Sequence, residues 1–434
     1  MIKMLCGRLG VLLILLSSCS SVKTSESLQK QVGSLEANFQ NHTGFVLYDV
    51  AKDKIVYSHN GDKYFTPASN TKIFTMFATL KTQGDFLPGL LYSRNMDTLF
   101  IRGTGDPSFL YEPLPKSPVF DFLSKEGSPI VLISENPTFE KYGPGWSWDD
   151  YNYTYSVERS LFPVYGNAFT FHLDSISGLL RTPQEFFKRY VMLGDSLENP
   201  RMIRDEDTNR TTFFPPKERQ EAIFDIPFKY SDGIFARLLT DTLKQKVLPL
   251  RRETSTLQWD TLYSIPTDSA IQVMMKVSDN FIAEQLMIMN GMLLTDSLDT
   301  NSAIRASIKT YFEGMPDDPI WVDGSGLSRY NLFTPRSIVW LWKNLLDTYG
   351  RKKLFPLLAT GGEEGTLQNY YVNTPPFLFG KTGTLSNNNS LSGFLVSQKG
   401  KVYIFSMMHN NYPTYSTPVK REMERILTDI YENN

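Results

Sequence analysis

Pro67-Ala68-Ser69-Asn70-Thr71-Lys72-Ile73-Phe74-Thr75-Met76-Phe77-Ala78-Thr79-Leu80 is the stretch from which the rest of the chain can be read. Ile73, Phe74, Met76, Phe77 and Leu80 recur at helical spacing behind Pro67. The pattern predicts a helix that starts at about Ser69, buries its apolar stripe and ends at Gly84. Ser69 and Lys72 then share one helical face, where the amine can take the hydroxyl proton. A lysine is a useful base only when neutral near pH 7, and the positive helix end and a dry pocket both lower its pKa. The same helix end offers the Ser69 backbone amide as an oxyanion donor. Ser20 to Lys23 repeats the spacing with no apolar helix behind it, and a serine at such a place is also a plain helix cap. Context has to separate these readings.

Upstream, Thr43 to Val50 and Ile55 to Asn60 alternate apolar and polar residues around Ala51-Lys52-Asp53-Lys54, which predicts a β-hairpin. Downstream, from about Leu91 to Pro266, the texture turns to short β-like pieces such as Leu99 to Arg102, Ile130 to Ser134 and Ala168 to Leu173. Gly, Pro and Asp break them, which predicts a β-rich inserted domain of one or two subdomains, its middle from Asp195 to Pro216 being polar. Ile271 to Asn290 reads as two helices broken at Ser278-Asp279-Asn280, and Ser302 to Phe312 and Pro335 to Tyr349 as further amphipathic helices. Phe377 to Thr384, Leu391 to Ser397 and Val402 to His409 are β-like, and Val419 to Tyr431 has helical spacing. Strands from both chain ends can share one antiparallel sheet. Residues 43–90 and 267–434 thus form one domain and 91–266 another, an α+β organisation that suits a chain of 434 residues.

Two further strings carry chemistry. Ser278 offers a hydroxyl that can relay a proton, and Asn280 an amide that can hold a substrate backbone, both at a helix break where polar groups face a cleft. Ser134-Glu135-Asn136 and Ser386-Asn387-Asn388 have the same form, and any of the three can be a turn. Lys381-Thr382-Gly383-Thr384 ends a β-like run. Its cation and two hydroxyls suit a carboxylate, Gly383 leaves room for an extended peptide to pair with the strand, and the Thr384 amide is a natural second oxyanion donor. A phosphate-binding loop ending at Gly380-Lys381-Thr382 fails because position 375 is Pro rather than Gly. His42, His59, His172 and His409 are scattered, with no HExxH pair for a metal and no GxSxG to anchor a Ser-His-Asp triad. No metal or cofactor is expected.

In order, Ser69-Asn70-Thr71-Lys72, Ser278-Asp279-Asn280 and Lys381-Thr382-Gly383 resemble the motifs of penicillin-binding proteins and serine β-lactamases. The gap of 278 − 69 = 209 residues is similar to that of the low-molecular-mass D-alanyl-D-alanine carboxypeptidase/endopeptidases of the penicillin-binding protein 4 type. Arg102 to Pro107, Gly145 to Asp150, Asp323 to Arg329 and Gly362 to Leu367 resemble the same family. The resemblance implies a transpeptidase/β-lactamase-like fold with an antiparallel sheet of N- and C-terminal strands flanked by helices. It implies attack by Ser69, Lys72 as base, and Ser278 with Lys381 passing a proton to the leaving amine. Asn280, Thr382, Gly383 and Thr384 would hold the substrate, a peptidoglycan stem peptide, and β-lactams would acylate Ser69. Asp150 would meet the stem's amino group, or else cap a turn beside core tryptophans. The rivals are a serine β-lactamase and a wall-binding sensor without catalysis.

Composition and the first residues set the context. Hydrophobic residues at 41% and a net charge of −2, from 44 basic and 46 acidic side chains, give no footing for nucleic acid. Lys3 and Arg8, the apolar run Leu9 to Leu16, then Ser17, Ser18 and Cys19 have the order of a secretory signal. Leu16-Ser17-Ser18-Cys19 resembles a bacterial lipobox, in which Cys19 would become the lipidated first residue of a mature chain of 434 − 18 = 416 residues. An ordinary signal peptide with an incidental Cys19 is the alternative. The only other cysteine is Cys6, so an exported chain would carry no disulfide. These features predict a periplasmic, lipid-anchored protein, with Ser20 in place of Asp leaning toward an outer membrane. Residues 19–42 read as a polar tether.

Overall fold

The computed structural model describes residues 25–133, 140–250 and 257–434. Helix α1 (residues 25–39) leads into the hairpin β1 (His42–Asp49) and β2 (Lys54–His59), and then α2 (Thr71–Thr82). The insertion follows as β3 (Phe86–Asn95), β4 (Thr98–Arg102), α3 (Pro118–Ser124), β5 (Ile130–Ile133), β6 (Ala168–Leu173) and β7 (Leu180–Arg181). It continues through β8 (Val191–Leu193), β9 (Arg201–Arg204), β10 (Thr211–Phe214), β11 (Ala222–Pro227), α4 (Asp232–Leu243), β12 (Val247–Leu250) and β13 (Asp260–Pro266). The chain returns through α5 (Thr267–Lys276), α6 (Asn280–Thr295), α7 (Thr300–Tyr311) and α8 (Pro335–Leu354). It closes with β14 (Ala359–Thr360), β15 (Leu378–Leu385), β16 (Asn388–Val396), β17 (Val402–Asn410) and α9 (Ser416–Asn433).

Strands from the two chain ends meet in one six-stranded sheet of order β14-β15-β16-β17-β1-β2. Its pairings are antiparallel, with Phe45 opposite Met407 and Lys381 opposite Ser392. Alternate residues of a strand point to opposite faces, and here both faces are buried. Val46, Tyr48, Phe394 and Ile404 pack with α2, α5, α6 and α8, whereas Phe45, Leu47, Phe405 and Met407 pack under α1 and α9. The sheet is therefore a middle layer between two helical layers. Helix α6 is buried at every residue from Phe281 to Gly291, which explains why its sequence is apolar nearly all round. It packs against α2, the helix that carries Lys72.

The insertion has its own core, centred on Leu90, Ile101, Phe169, Phe187, Phe235 and Leu239. A five-stranded mixed sheet of order β12-β5-β4-β3-β13 joins it to the sheet-and-helix body, because β3 leaves α2 and β13 runs straight into α5. Two three-stranded sheets, β8-β10-β9 and β11-β6-β7, complete it. The polar stretch from Asp195 to Pro216 holds β9 and β10, with Arg204 buried and its guanidinium spent on the carbonyls of Tyr151, Asp205 and Thr208.

The expected tether over residues 19–42 is corrected where it can be seen. Residues 25–39 are helical, and Leu28, Val32 and Leu35 are buried against the outer face of the sheet. Three apolar residues on one stripe are enough to dock a helix, but too few to lift a polar stretch out of a tether's composition. Gln31 adds a hydrogen bond to Asp429 of α9 at 2.9 Å. A docked α1 predicts that Leu35→Ala destabilises the protein by about 2–5 kcal/mol, as for other buried leucines. A loss under about 0.5 kcal/mol in urea unfolding, the range of a surface change, would return this segment to a tether.

Candidate active site

Ser69 sits just ahead of α2, in a tight turn over Ala68–Asn70. Ala68 has a φ of 48°, a left-handed conformation that costs energy in any residue with a Cβ and clusters at functional sites. Buried Asn70 fastens this turn to the sheet. Its Nδ2 donates to the carbonyl of Lys381 and to Ser390 Oγ, both at 2.9 Å, and Ser392 Oγ donates to its Oδ1 at 2.5 Å. Ser390 Oγ in turn donates to the Pro67 carbonyl at 2.6 Å. The first and third motifs are thus bound to each other by side chains that the sequence reading left without a role.

Lys72 is fully buried, and its Nζ has three partners: Ser69 Oγ at 3.0 Å, Asn280 Oδ1 at 2.6 Å and the Ser325 carbonyl at 2.7 Å. Burial lowers its pKa from 10.5 to about 8, against the opposing pull of Asp323, Asp279 and Glu284. Neutral amine is therefore present near pH 7, and the hydroxyl it would deprotonate lies within hydrogen-bond reach.

Asn280 and Ser278 stand at the break between α5 and α6. Ser278 takes a φ of 66°, and Asp279 caps α6 by accepting from the Ile282 amide at 2.8 Å. The other oxygen of Asp279 accepts from the Tyr111 hydroxyl of the insertion at 2.6 Å. Asn280 Nδ2 donates to the Tyr155 carbonyl at 2.9 Å, so the insertion holds this motif at two points.

The loop Asp323 to Arg329 is the largest element that sequence reasoning left without a task. Asp323 is buried and accepts from the amides of Gly326 and Ser328, from Asn331 Nδ2 and from Trp146 Nε1, at 2.7 to 2.9 Å. Glu284 accepts from the Ser325 amide at 2.8 Å, and Arg159 lies 3.4 Å from its other oxygen. These bonds aim the Ser325 carbonyl at Lys72. Gly326 has a φ of 82°, and a Cβ there would stand 1.9 Å from the Ala68 carbonyl. The repeated glycines of this string were the available signal.

Lys381 lies on β15, fully buried, with its Nζ donating to the Thr382 carbonyl at 2.8 Å. Burial, and then the charge of Lys72, hold it well below the ordinary lysine value. The Thr382 and Thr366 hydroxyls are 2.7 Å apart, and Thr384 Oγ1 accepts from Asn389 Nδ2 at 3.1 Å. A Cβ on Gly383 would meet Ser390 Oγ at 2.3 Å, the Pro67 carbonyl at 2.7 Å and the Ser69 amide at 2.9 Å. Its missing side chain makes room for the turn that carries Ser69.

Ser69, Asn280, Thr384 and Asp150 share the wall of a cleft of about 890 Å³, and Ser69, Ser278, Thr382 and Thr384 share a second cavity of about 340 Å³. Asp150 accepts from the Tyr155 hydroxyl at 2.8 Å, while Trp148 is 75% exposed, so the tryptophan pair is not a shared core. Asp149 and Arg329 line the same cleft and carried no expectation. Ser386-Asn387-Asn388 is a hairpin turn, with Asn387 at a φ of 67°. Cys19, the Ser20 to Lys23 string and Ser134-Glu135-Asn136 lie outside the described residues.

The chain as a whole is similar to known proteins. The D-Ala-D-Ala carboxypeptidase 3 (S13) family model matches residues 24–178 and 228–433. D-alanyl-D-alanine carboxypeptidase DacB of Haemophilus influenzae is 26% identical over 431 residues, 86% of either chain. Penicillin-sensitive carboxypeptidase A of Dictyostelium discoideum is 22% identical and covers 95% of this chain and 89% of its own. Among solved structures, penicillin binding protein 4 of Haemophilus influenzae superposes with a TM-score of 0.77 at 21% identity, over 92% of this chain and 99% of that one. That protein has also been crystallised with a β-lactam, and the complex superposes with a TM-score of 0.72 at 20% identity over the same shares. With most of its length matched by the family model and its three motifs converging on one serine, the chain belongs to the D-Ala-D-Ala carboxypeptidase 3 (S13) family.

Proposed function

We propose that this protein is a serine D-Ala-D-Ala carboxypeptidase that works on peptidoglycan stem peptides through an acyl-enzyme on Ser69 and is acylated by penicillins. The observation that carries the reading is the 3.0 Å contact between Ser69 Oγ and a buried lysine amine whose pKa is lowered to about 8. Neutral Lys72 takes the Ser69 proton as Oγ attacks the carbonyl of the penultimate D-alanine. The Ser69 and Thr384 amides receive the oxyanion, and Ser278 with Lys381 returns a proton to the leaving amine. Water then releases the acyl group. Cleavage of a cross-linked stem is the same chemistry with a larger leaving group. Asp150, with Asp149 beside it, suits the amino group of the stem, and Arg329 in the same wall suits a carboxylate.

A β-lactamase needs a second base to drive deacylation. The carboxylates that act on Lys72 are each engaged: Asp279 by Tyr111 and the Ile282 amide, Glu284 by the Ser325 amide, Asp323 by four donors. This supports slow deacylation and a stable penicillin adduct. The complete set of polar contacts at Lys72 also favours catalysis over a sensor that only binds. Export and lipidation at Cys19 are part of the proposal and rest on the order of residues 3–19.

We expect the wild-type protein to release D-alanine from a pentapeptide stem and Ser69→Ala to release none while unfolding at the same temperature. Release by that variant would sink the assignment. Because the working form of Lys72 is neutral, acylation should gain about tenfold per pH unit up to about 8 and level off above it. A rate that stays flat from about pH 6 to about pH 9 would remove Lys72 as the base. In cells fed an alkyne fatty acid, the wild-type protein should carry label and Cys19→Ala none; equal labelling of both would refute the anchor.

A further inference from the structure

The smaller cavity, of about 340 Å³, lies beneath β15, and beyond Ser69 and Ser278 its wall includes Thr366, Thr382, Thr384 and Lys420. Lys420 is half-buried on the second turn of α9, and among the described residues it forms no ion pair. The two acids within four residues of it on that helix are already occupied, Glu424 by Arg421 and the Tyr371 amide, and Glu422 by Arg425. Among the described residues, no Asp or Glu lines the cavity. Burial without a compensating anion holds the Lys420 amine below the ordinary lysine value.

The hydroxyls of this wall have hydrogens to give. Thr384 Oγ1 already accepts from Asn389, which leaves its O–H to donate. One hydrogen serves the bond between Thr366 and Thr382, and the second is left over. An ammonium and two hydroxyl donors, with no carboxylate among them, complement a group that only accepts. The cavity falls within the range of roughly 300–1,000 Å³ that encloses drug-sized molecules, well beyond what one alanine needs.

We propose that this cavity receives the leaving group, that Lys420 binds its free carboxylate together with the threonine hydroxyls, and that the space beyond admits departing residues larger than alanine. The inference rests on the peptidase reading above. Its test uses one acyl peptide carrying D-alanine as the free acid, D-alanine amide, or D-glutamine as the free acid. Lys420→Met should lower kcat/KM for the D-alanine acid about tenfold and change the amide less than about twofold, while Lys420→Arg keeps the preference for the acid. Equal loss for acid and amide, or no loss at all, would overturn the role of Lys420. In wild type the D-glutamine acid should fall within about tenfold of the D-alanine acid, and rejection by about a hundredfold would overturn the larger site. A wild-type protein that cleaves none of the three, yet is folded, would instead overturn the peptidase reading itself.

Discussion

Two lysine amines are buried next to each other, and the site is built around that constraint. Moving one ammonium out of water costs several kcal/mol, and a second beside it adds repulsion. Burial pushes both Lys72 and Lys381 down, and the charge of Lys72 adds to the effect on Lys381. The Ser325 carbonyl and Asn280 Oδ1 stabilise a proton on Lys72, and the carboxylates of Asp279, Glu284 and Asp323 oppose the desolvation from a distance. The result is an amine balanced near neutrality rather than one stripped of its proton or locked into an ion pair. In the proposed mechanism this balance, struck 3.0 Å from the Ser69 oxygen, is what makes Ser69 the nucleophile.

That balance draws on four separate stretches of chain. The turn before α2 supplies Ser69, the start of α6 supplies Asn280, the Asp323 to Arg329 loop supplies a carbonyl, and β15 supplies Lys381. Asn70 ties the first to the last, and the open face of Gly383 lets them pack. The insertion takes part as well. Tyr111 reaches Asp279, the Tyr155 carbonyl receives Asn280, Arg159 approaches Glu284, and Trp146 reaches Asp323. These contacts tie the insertion to the groups around Lys72, most directly through Asn280.

The elements with strong local signals were legible from sequence. The apolar stripe behind Ser69, the break at Ser278 and the β-like runs at the C-terminus have their counterparts in α2, the α5–α6 junction and β15 to β17. What could not be read depends on partners far away in the chain. Ser325 contributes through a backbone carbonyl, which leaves no mark in residue type, and its partner is 253 positions distant. Asn70 looks like any residue inside a motif until Ser390 and Ser392 arrive from β16. A glycine pattern does not say which neighbour needs the space, so the packing of Gly383 against the turn at Ser69 left no mark in the sequence. Helix α1 escaped because its docking relies on three buried residues and on a sheet formed mostly by the other end of the chain.

The central claim is that Ser69, and no other hydroxyl, is the group activated by Lys72. Mass mapping of the protein after reaction with penicillin G tests it most directly. Cleavage after Lys63 and Lys72 isolates residues 64–72, and the account predicts a single adduct of one intact penicillin on that peptide, at Ser69. An adduct on the peptide that holds Ser278, or one spread over several peptides, would contradict it.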